Sequence, residues 1–281
     1  MSSAKRIEAR ADSVRAEVDF LRPVSGRAFS YAYEPSASEP PETVAFEAHS
    51  VEIHNARTAL PPLTLDAEGA ALIDFSTRLT NYDDDSLLRS LYYPEAAAAI
   101  KAHTGASRVV VFDHNVRRGL ALPVAPGQTH RGRPVLHAHT DYTGSSAVNR
   151  LRGLLGDEAE SLLVHRFMQV NLWRPIRGPL RDAPLAVCDA SSIGATALTE
   201  VDLLYPGRRG EIYYLSHEPT QRWYFAPDMQ PDEAWLLKNF DSATGSSARF
   251  AAHSAFIDPT PHANVLPRES IEVRAFALFD R

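Results

Sequence analysis

His137, His139 and Asp141 stand two apart in the run HAHTD. On an extended strand alternate side chains share a face, so the spacing projects all three together. Such a row offers imidazole nitrogens and a carboxylate oxygen to one metal ion. For H-x-D alone, a set of polar residues at an exposed strand end is the simpler reading. A metal site needs a further ligand from elsewhere in the chain. His253, in RFAAHSAFIDP, opens an apolar segment and is the favoured candidate; His217 and His262 lie in proline-flanked turns and stay open on spacing alone.

Two histidines and one carboxylate on one face of an octahedral ion leave three positions free, the arrangement of non-haem ferrous oxygenases. Those positions suit a chelating 2-oxo acid and dioxygen. The remote carboxylate of a 2-oxo acid needs a cation, and Arg268 follows His253 by 15 positions. In Arg268-Glu-Ser270, alternation puts guanidinium and hydroxyl on one face, where arginine binds a carboxylate through two parallel hydrogen bonds. Arg274 falls on the same face and competes as anchor; its alternative is a salt bridge with Glu272. Asn171, in VNLWRPI, reaches the chelating end of the co-substrate if it points inward; otherwise it pairs with buried backbone.

Other metal and nucleophile motifs fit less well. The zinc motif of metallo-β-lactamase-type hydrolases continues H-x-H-x-D with another histidine, where this chain has Tyr142. A zinc hydrolase built on His137, His139 and Asp141 is the competing enzyme reading. The cupin pattern needs a glutamate soon after H-x-H, and none occurs between Asp141 and Gly156. Phosphate-binding Gly-rich loops and a G-x-S-x-G elbow are absent. Trp173 and Cys188 read as core. Tyr142 and Arg150 read as packing and a solvated helix face, and His114, Arg117 and Arg118 as a salt-bridged surface cluster. His137 reads as a hydrogen-bonded histidine one layer deeper than the metal.

The elements that must position these groups are mostly strands. Residues 13–21 alternate as a strand, 34–43 form a proline-rich loop, and 55–66 an irregular stretch. Asp83–Asp85 cap a short helix over SLLRSLY, and Pro94 opens a second that stops at Gly105. SRVVVFDHN reads as a buried strand. VLHAHTDY, FMQVNLWRPI, PLAVCDA, EIYYLS, RWYFAP and SIEVRAFALF are further strand candidates. Helices are expected over 145–155 and over PDEAWLLKNF, with Pro231 at its start. Many strands without βαβ alternation argue for a barrel or sandwich. One domain is expected over 1–281, with 1–12 frayed, 107–281 as barrel core and 13–106 wrapped around it.

Composition narrows the field. A net charge of −6 and a pI near 6.0 give no electrostatic surface for nucleic acid. No apolar run spans a membrane, and MSSAKRIEARADS lacks the apolar stretch of a secretory leader, so a cytoplasmic location is expected. The lone Cys188 rules out an intramolecular disulfide and any multi-cysteine metal cluster. Oligomeric state stays open, a homodimer included.

The blocks HAHTDYTGSSAVNRL, VNLWRPIRGPLRDAPLAVCD, RWYFAPDMQPDEAWLLKNFDS and HSAFIDPTPHANVLPRESIEVRAFALF resemble successive signatures of one enzyme group, as does YYPEAAAAIKAHTGASRVVVFDHNVRR upstream. The group is the iron(II)/2-oxoglutarate-dependent oxygenases that include the cephamycin methoxylation protein, aspergillic acid hydroxylase and a fungal gibberellin desaturase. The likeness spans residues 74–279. It implies a mainly β fold with flanking helices, a distorted double-stranded β-helix of jelly-roll or cupin-like type. It also implies Fe(II), 2-oxoglutarate and O2 as cofactor, co-substrate and oxidant, and a small natural product as substrate, hydroxylated or desaturated as 2-oxoglutarate breaks down to succinate and CO2. Carried over by position, His139, Asp141 and His253 hold the metal, and Arg268 with Ser270 holds the co-substrate. The group often has histidine where this chain has Gln221, which leaves His253 favoured. Because the cephamycin protein works alongside another, a catalytically silent partner is a further alternative.

Overall fold

The structure, a computed structural model, describes residues 12–119, 134–245 and 248–280. The segment expected to fray, 1–12, lies outside them apart from Asp12.

The chain opens with β1 (Ser13–Leu21), β2 (Ala28–Tyr31), β3 (Phe46–Asn55) and β4 (Ala70–Asp74). Next, α1 (Asp85–Leu87), capped by the Asp84 carboxylate, runs through a π segment (Leu88–Tyr92) into α2 (Tyr93–Thr104). Pro94 in the first turn and Gly105 in a left-handed cap delimit α2 as the sequence suggests. Then come β5 (Arg108–Arg118), β6 (His139–Thr140), α3 (Gly144–Leu155), α4 (Ala159–Leu163), β7 (Phe167–Pro175) and β8 (Leu185–Cys188). The last strands are β9 (Leu198–Tyr205), β10 (Arg208–Leu215), β11 (Trp223–Phe225), β12 (Glu233–Asp241), β13 (His253–Ala255) and β14 (Glu269–Leu278).

Two sheets result. The larger has the order β1-β3-β11-β8-β13-β6-β10-β9-β2, the smaller β4-β12-β7-β14-β5. They face each other as the distorted double-stranded β-helix that the sequence implied. Alternation along β7 divides its side chains. Val170 and Leu172 join Tyr92, Ala96 and Ile100 of the helical segment in one core. Trp173 points the other way, meeting Leu185 and Val187 of β8 and Trp235 and Leu237 of β12 between the sheets. A further cluster, with Phe167, Phe240 and Phe276, seats α3 and α4 against one end. None of the described helices is long and apolar enough to cross a membrane.

Several elements differ from the sequence expectation. PDEAWLLKNF is the strand β12, not a helix. It lies between β4 and β7 and is covered on both faces, so it shows a continuous apolar run without alternation. Pro231, followed by Asp and Glu, mimics a helix start. SRVVVFDHN is a strand, but β5 is an edge and only half-buried. VLHAHTDY contributes just two ladder residues, with His137 bridged to Asp19 of β1. The strands β2, β3, β4 and β9 were not anticipated.

Because Trp235 is fully buried between the sheets, Trp235→Ala is expected to lower stability by about 3–5 kcal/mol. Trp235→Phe, which keeps most of the volume, should cost less than half of that. Denaturant midpoints of the three proteins decide it; a midpoint unchanged by the alanine would contradict the central placement of β12.

Candidate metal centre

The two-residue strand β6 sits between β10 and β13, and its register sets His253 directly opposite His139. Their ring centroids are 4.5 Å apart. Asp141 lies one residue beyond β6, where its backbone N–H donates to Asn239 Oδ1 of β12 at 3.0 Å. That bond ties the end of β6 to the opposite sheet. Two residues later Thr143 caps α3 in a reciprocal capping box with Ser146, so the chain turns away at once. Ligand atoms of His139, Asp141 and His253 all lie within 4.8 Å of one another, and His139 Nε2 is 3.8 Å from Asp141 Oδ1.

Hydrogen bonds fix which nitrogen each ring presents. His139 Nδ1 lies 2.7 Å from the His137 carbonyl, and His253 Nδ1 lies 3.1 Å from the Ala251 carbonyl. A carbonyl only accepts, so each Nδ1 carries a proton and each Nε2 is the nitrogen left for a metal. A backbone carbonyl behind the ring is the usual support of a metal-ligating histidine. Burial and the adjacent His253 push the His139 imidazole down to about 3, so it stays neutral. Burial alone would raise Asp141, but Arg274, His253, His139 and the Asn171 hydrogen bond hold it well below the usual carboxylate range. His139 and Asp141 are thus held deprotonated, and the three side chains converge. Two imidazoles and one carboxylate suit a divalent first-row ion such as Fe(II) better than a thiolate-seeking one.

His137 does not join them. Its ring stacks on Phe46, centroids 3.8 Å apart and 7° from parallel, with Nδ1 3.3 Å from Asp19 Oδ2. Instead of lying one layer deeper, it stands in a cavity wall with its side chain 38% exposed. β6 ends before alternation can carry all three residues, and the bridge to β1 turns His137 aside. The zinc set of His137, His139 and Asp141 therefore lacks a ligand. His217 stacks on His49 and His262 faces Asp258, so neither reaches the cluster.

The inward face of β14 carries Ser270, Glu272 and Arg274, and Arg268 immediately precedes the strand. Arg268 is buried, with Nε donating to Ser270 Oγ at 3.1 Å and Nη1 to the Ala183 carbonyl at 2.6 Å. Among the described residues no carboxylate lies within ion-pair distance of its guanidinium. Burial, then the charge of Arg117, push it down to about 9. Arg274 is engaged by three acids: Glu272 at 2.8 Å, Asp113 at 3.3 Å and Asp141 at 3.4 Å. Asn171 donates Nδ2 to Asp141 Oδ2. Sequence reasoning missed the inward placement of Glu272, Asp113 and Arg117. Alternation along β14 was enough to place Glu272 beside Arg268 and Arg274. Arg117 is not the surface residue expected: it is half-buried and lines the cavity, while Arg118 pairs with Asp83. Trp173 and Cys188 are core, as expected, and Arg150 lies over the Phe112 ring.

Comparison with known proteins agrees with this geometry. A family profile described as "Oxidoreductase/YMDC permease-like domain" matches residues 18–278. The Fe(II)/2-oxoglutarate-dependent dioxygenase nvfI of Aspergillus novofumigatus is 31% identical over 94% of this chain and 96% of its own. The hydroxylase/desaturase efuI of Hormonema carpetanum is 30% identical over 84% and 85%. In structure, the iron and alpha-ketoglutarate-dependent endoperoxidase NvfI superposes with a TM-score of 0.88, 27% identity, and coverage of 97% of this chain and 100% of that one. Fold and donor set together define a non-haem iron oxygenase. The chain belongs to the Fe(II)/2-oxoglutarate-dependent dioxygenase family that contains these enzymes of secondary metabolism. Fe(II), 2-oxoglutarate and O2 are accordingly its cofactor, co-substrate and oxidant.

The depressed donor groups have a consequence for stability. Unfolded histidine takes up a proton near pH 6.5, whereas folded His139 does so only near 3. Between these values the unfolded chain binds more protons, so stability falls as pH falls, by up to about 1.4 kcal/mol per pH unit. Asp141, lowered in the folded state, acts in the same sense below about pH 4. Chelator-treated wild type is expected to lose more stability from pH 7 to 5 than His139→Gln does. Equal losses in denaturant titrations would refute the assignment.

Proposed function

We propose that His139, Asp141 and His253 bind Fe(II), that Arg268 with Ser270 binds the remote carboxylate of 2-oxoglutarate, and that the enzyme hydroxylates or desaturates a small natural product. The observation that carries this reading is the convergence of His139, Asp141 and His253, the first two of which line a cavity of about 510 Å³. When bound, the metal supplies, with 2-oxoglutarate and O2, the oxidising power to remove a hydrogen atom from an unactivated carbon, releasing succinate and CO2. This chain's residues bind and orient. Arg268 favours an incoming anion because it is buried without a carboxylate among the described residues; Arg274 already has three. Tyr31, Phe46 and Tyr214 give the cavity an aromatic wall, while Glu42, Asp113, Asn115, Arg117 and Arg208 line it with charged and polar groups, a lining suited to a molecule with both an apolar body and several polar groups. The same walls limit water around the reacting carbon.

The chain acts on this reading as one domain, since strands from its first third are hydrogen-bonded into both sheets. A cytoplasmic site of action accords with its single, buried, free cysteine.

Anaerobic addition of Fe(II) and 2-oxoglutarate is expected to give a weak visible charge-transfer absorption, and His139→Ala to abolish both that band and succinate release. Arg268→Ala should raise the KM for 2-oxoglutarate by about 30-fold or more, the effect of removing one partner of a buried charge pair. Arg268→Lys should recover part of the loss. An unchanged KM would reassign the anchor, and succinate formation by the His139 variant would overturn the iron site.

A further inference from the structure

We infer that Asn171 and Arg274 set how Asp141 binds the metal: both donate to Oδ2, leaving Oδ1 alone to act as ligand. This rests on the metal site proposed above. Asn171 of β7 and Arg274 of β14 are direct cross-strand partners. Asn171 Nδ2 lies 2.5 Å from Asp141 Oδ2 and Arg274 Nε lies 3.4 Å from the same oxygen. The other oxygen, Oδ1, is the one facing His139 Nε2.

The amide is locked in that orientation. Gln169, two residues earlier on the same face of β7, donates Nε2 to Asn171 Oδ1 at 2.8 Å. With its oxygen accepting there, the Asn171 NH2 group must point at Asp141. Gln169 and Asn171 are fully buried, and Gln169 Oε1 has no hydrogen-bond partner among the described residues. An unsatisfied buried acceptor is costly, so the chain holds this pair at the expense of stability. Arg274 is braced in turn by Glu272 and Asp113. The ladder between β14 and β5 shifts register between Arg274 and Ala275, and such a bulge re-aims a side chain.

The arrangement matters because a carboxylate can bind through one oxygen or two. Through one, three octahedral positions remain for a chelating 2-oxo acid and dioxygen. Freed from its donors, Oδ2 can turn to the metal as a second ligand and compete with the co-substrate. Asn171 and Arg274 are therefore positioning residues. Their loss leaves metal affinity intact or higher while weakening 2-oxoglutarate, a split that general damage to the fold would not produce.

Cobalt(II) provides the probe, because its visible absorption intensity reports coordination number. Wild type, Asn171→Leu, Gln169→Leu, Arg274→Lys and His139→Gln are titrated with Co(II), then with 2-oxoglutarate, and thermal unfolding verifies that each is folded. Asn171→Leu is expected to bind Co(II) at least as tightly as wild type and 2-oxoglutarate at least 10-fold more weakly, with a changed cobalt spectrum before the 2-oxo acid is added. Gln169→Leu should shift in the same direction by less, and Arg274→Lys should lie between wild type and Asn171→Leu. An unchanged 2-oxoglutarate affinity in a folded Asn171→Leu protein, or parallel loss of both affinities, overturns the inference and leaves the iron reading standing. Tight Co(II) binding by His139→Gln overturns the metal site, and the inference with it.

Discussion

The pairing of β6 with β13 is the constraint on which the rest of the site depends. A single ladder pair sets His253 opposite His139, and a slip of one residue would turn either imidazole to the other face of the sheet. So short a strand cannot hold that register by its own hydrogen bonds. It is held from outside, by β10 on its other edge, by the bridge between Asp19 and His137, and by the bond from the Asp141 amide to Asn239. Thr143 then starts α3 and fixes the exit of the chain. The larger sheet thus supplies the two histidines, and the smaller sheet holds the carboxylate.

The second constraint is electrostatic. β14 places alternating guanidinium, hydroxyl and carboxyl groups along an inward face, where isolated charges are costly. At one end the charges compensate one another: Arg274 meets Asp141, Glu272 and Asp113. At the other end Arg268 leans over the Trp173 ring at 4.9 Å and bonds to neutral oxygens. Hydrophobic packing around Trp173 and Trp235 brings the two sheets together. The polar row then decides where anions settle between them.

The sequence made some of this legible and concealed the rest for identifiable reasons. His139 and Asp141 stood out because their spacing is local. The Arg268–Ser270 contact follows from alternation on a long strand, where the period is reliable. His253 was one of several candidate histidines, because the cross-strand partner of a two-residue strand leaves no periodic trace; the resemblance of the surrounding blocks favoured it. His137 was misplaced because alternation was extended across a strand that ends almost at once. β12 was misread because a strand buried on both faces has lost the period-two signal, while its Pro-Asp-Glu start copies a helix cap. Arg117 was taken for a surface charge, since nothing in RVVVFDHNVRR marks which side of an edge strand faces a cavity.

Asp141, Glu272 and Asp113 gather around Arg274 at one end of this polar row, whereas Arg268 stands at the other with no carboxylate within ion-pair distance among the described residues. Such a row is polarised along its length. On the site proposed above, that charge pattern favours a cation at one end of the row and an anion at the other.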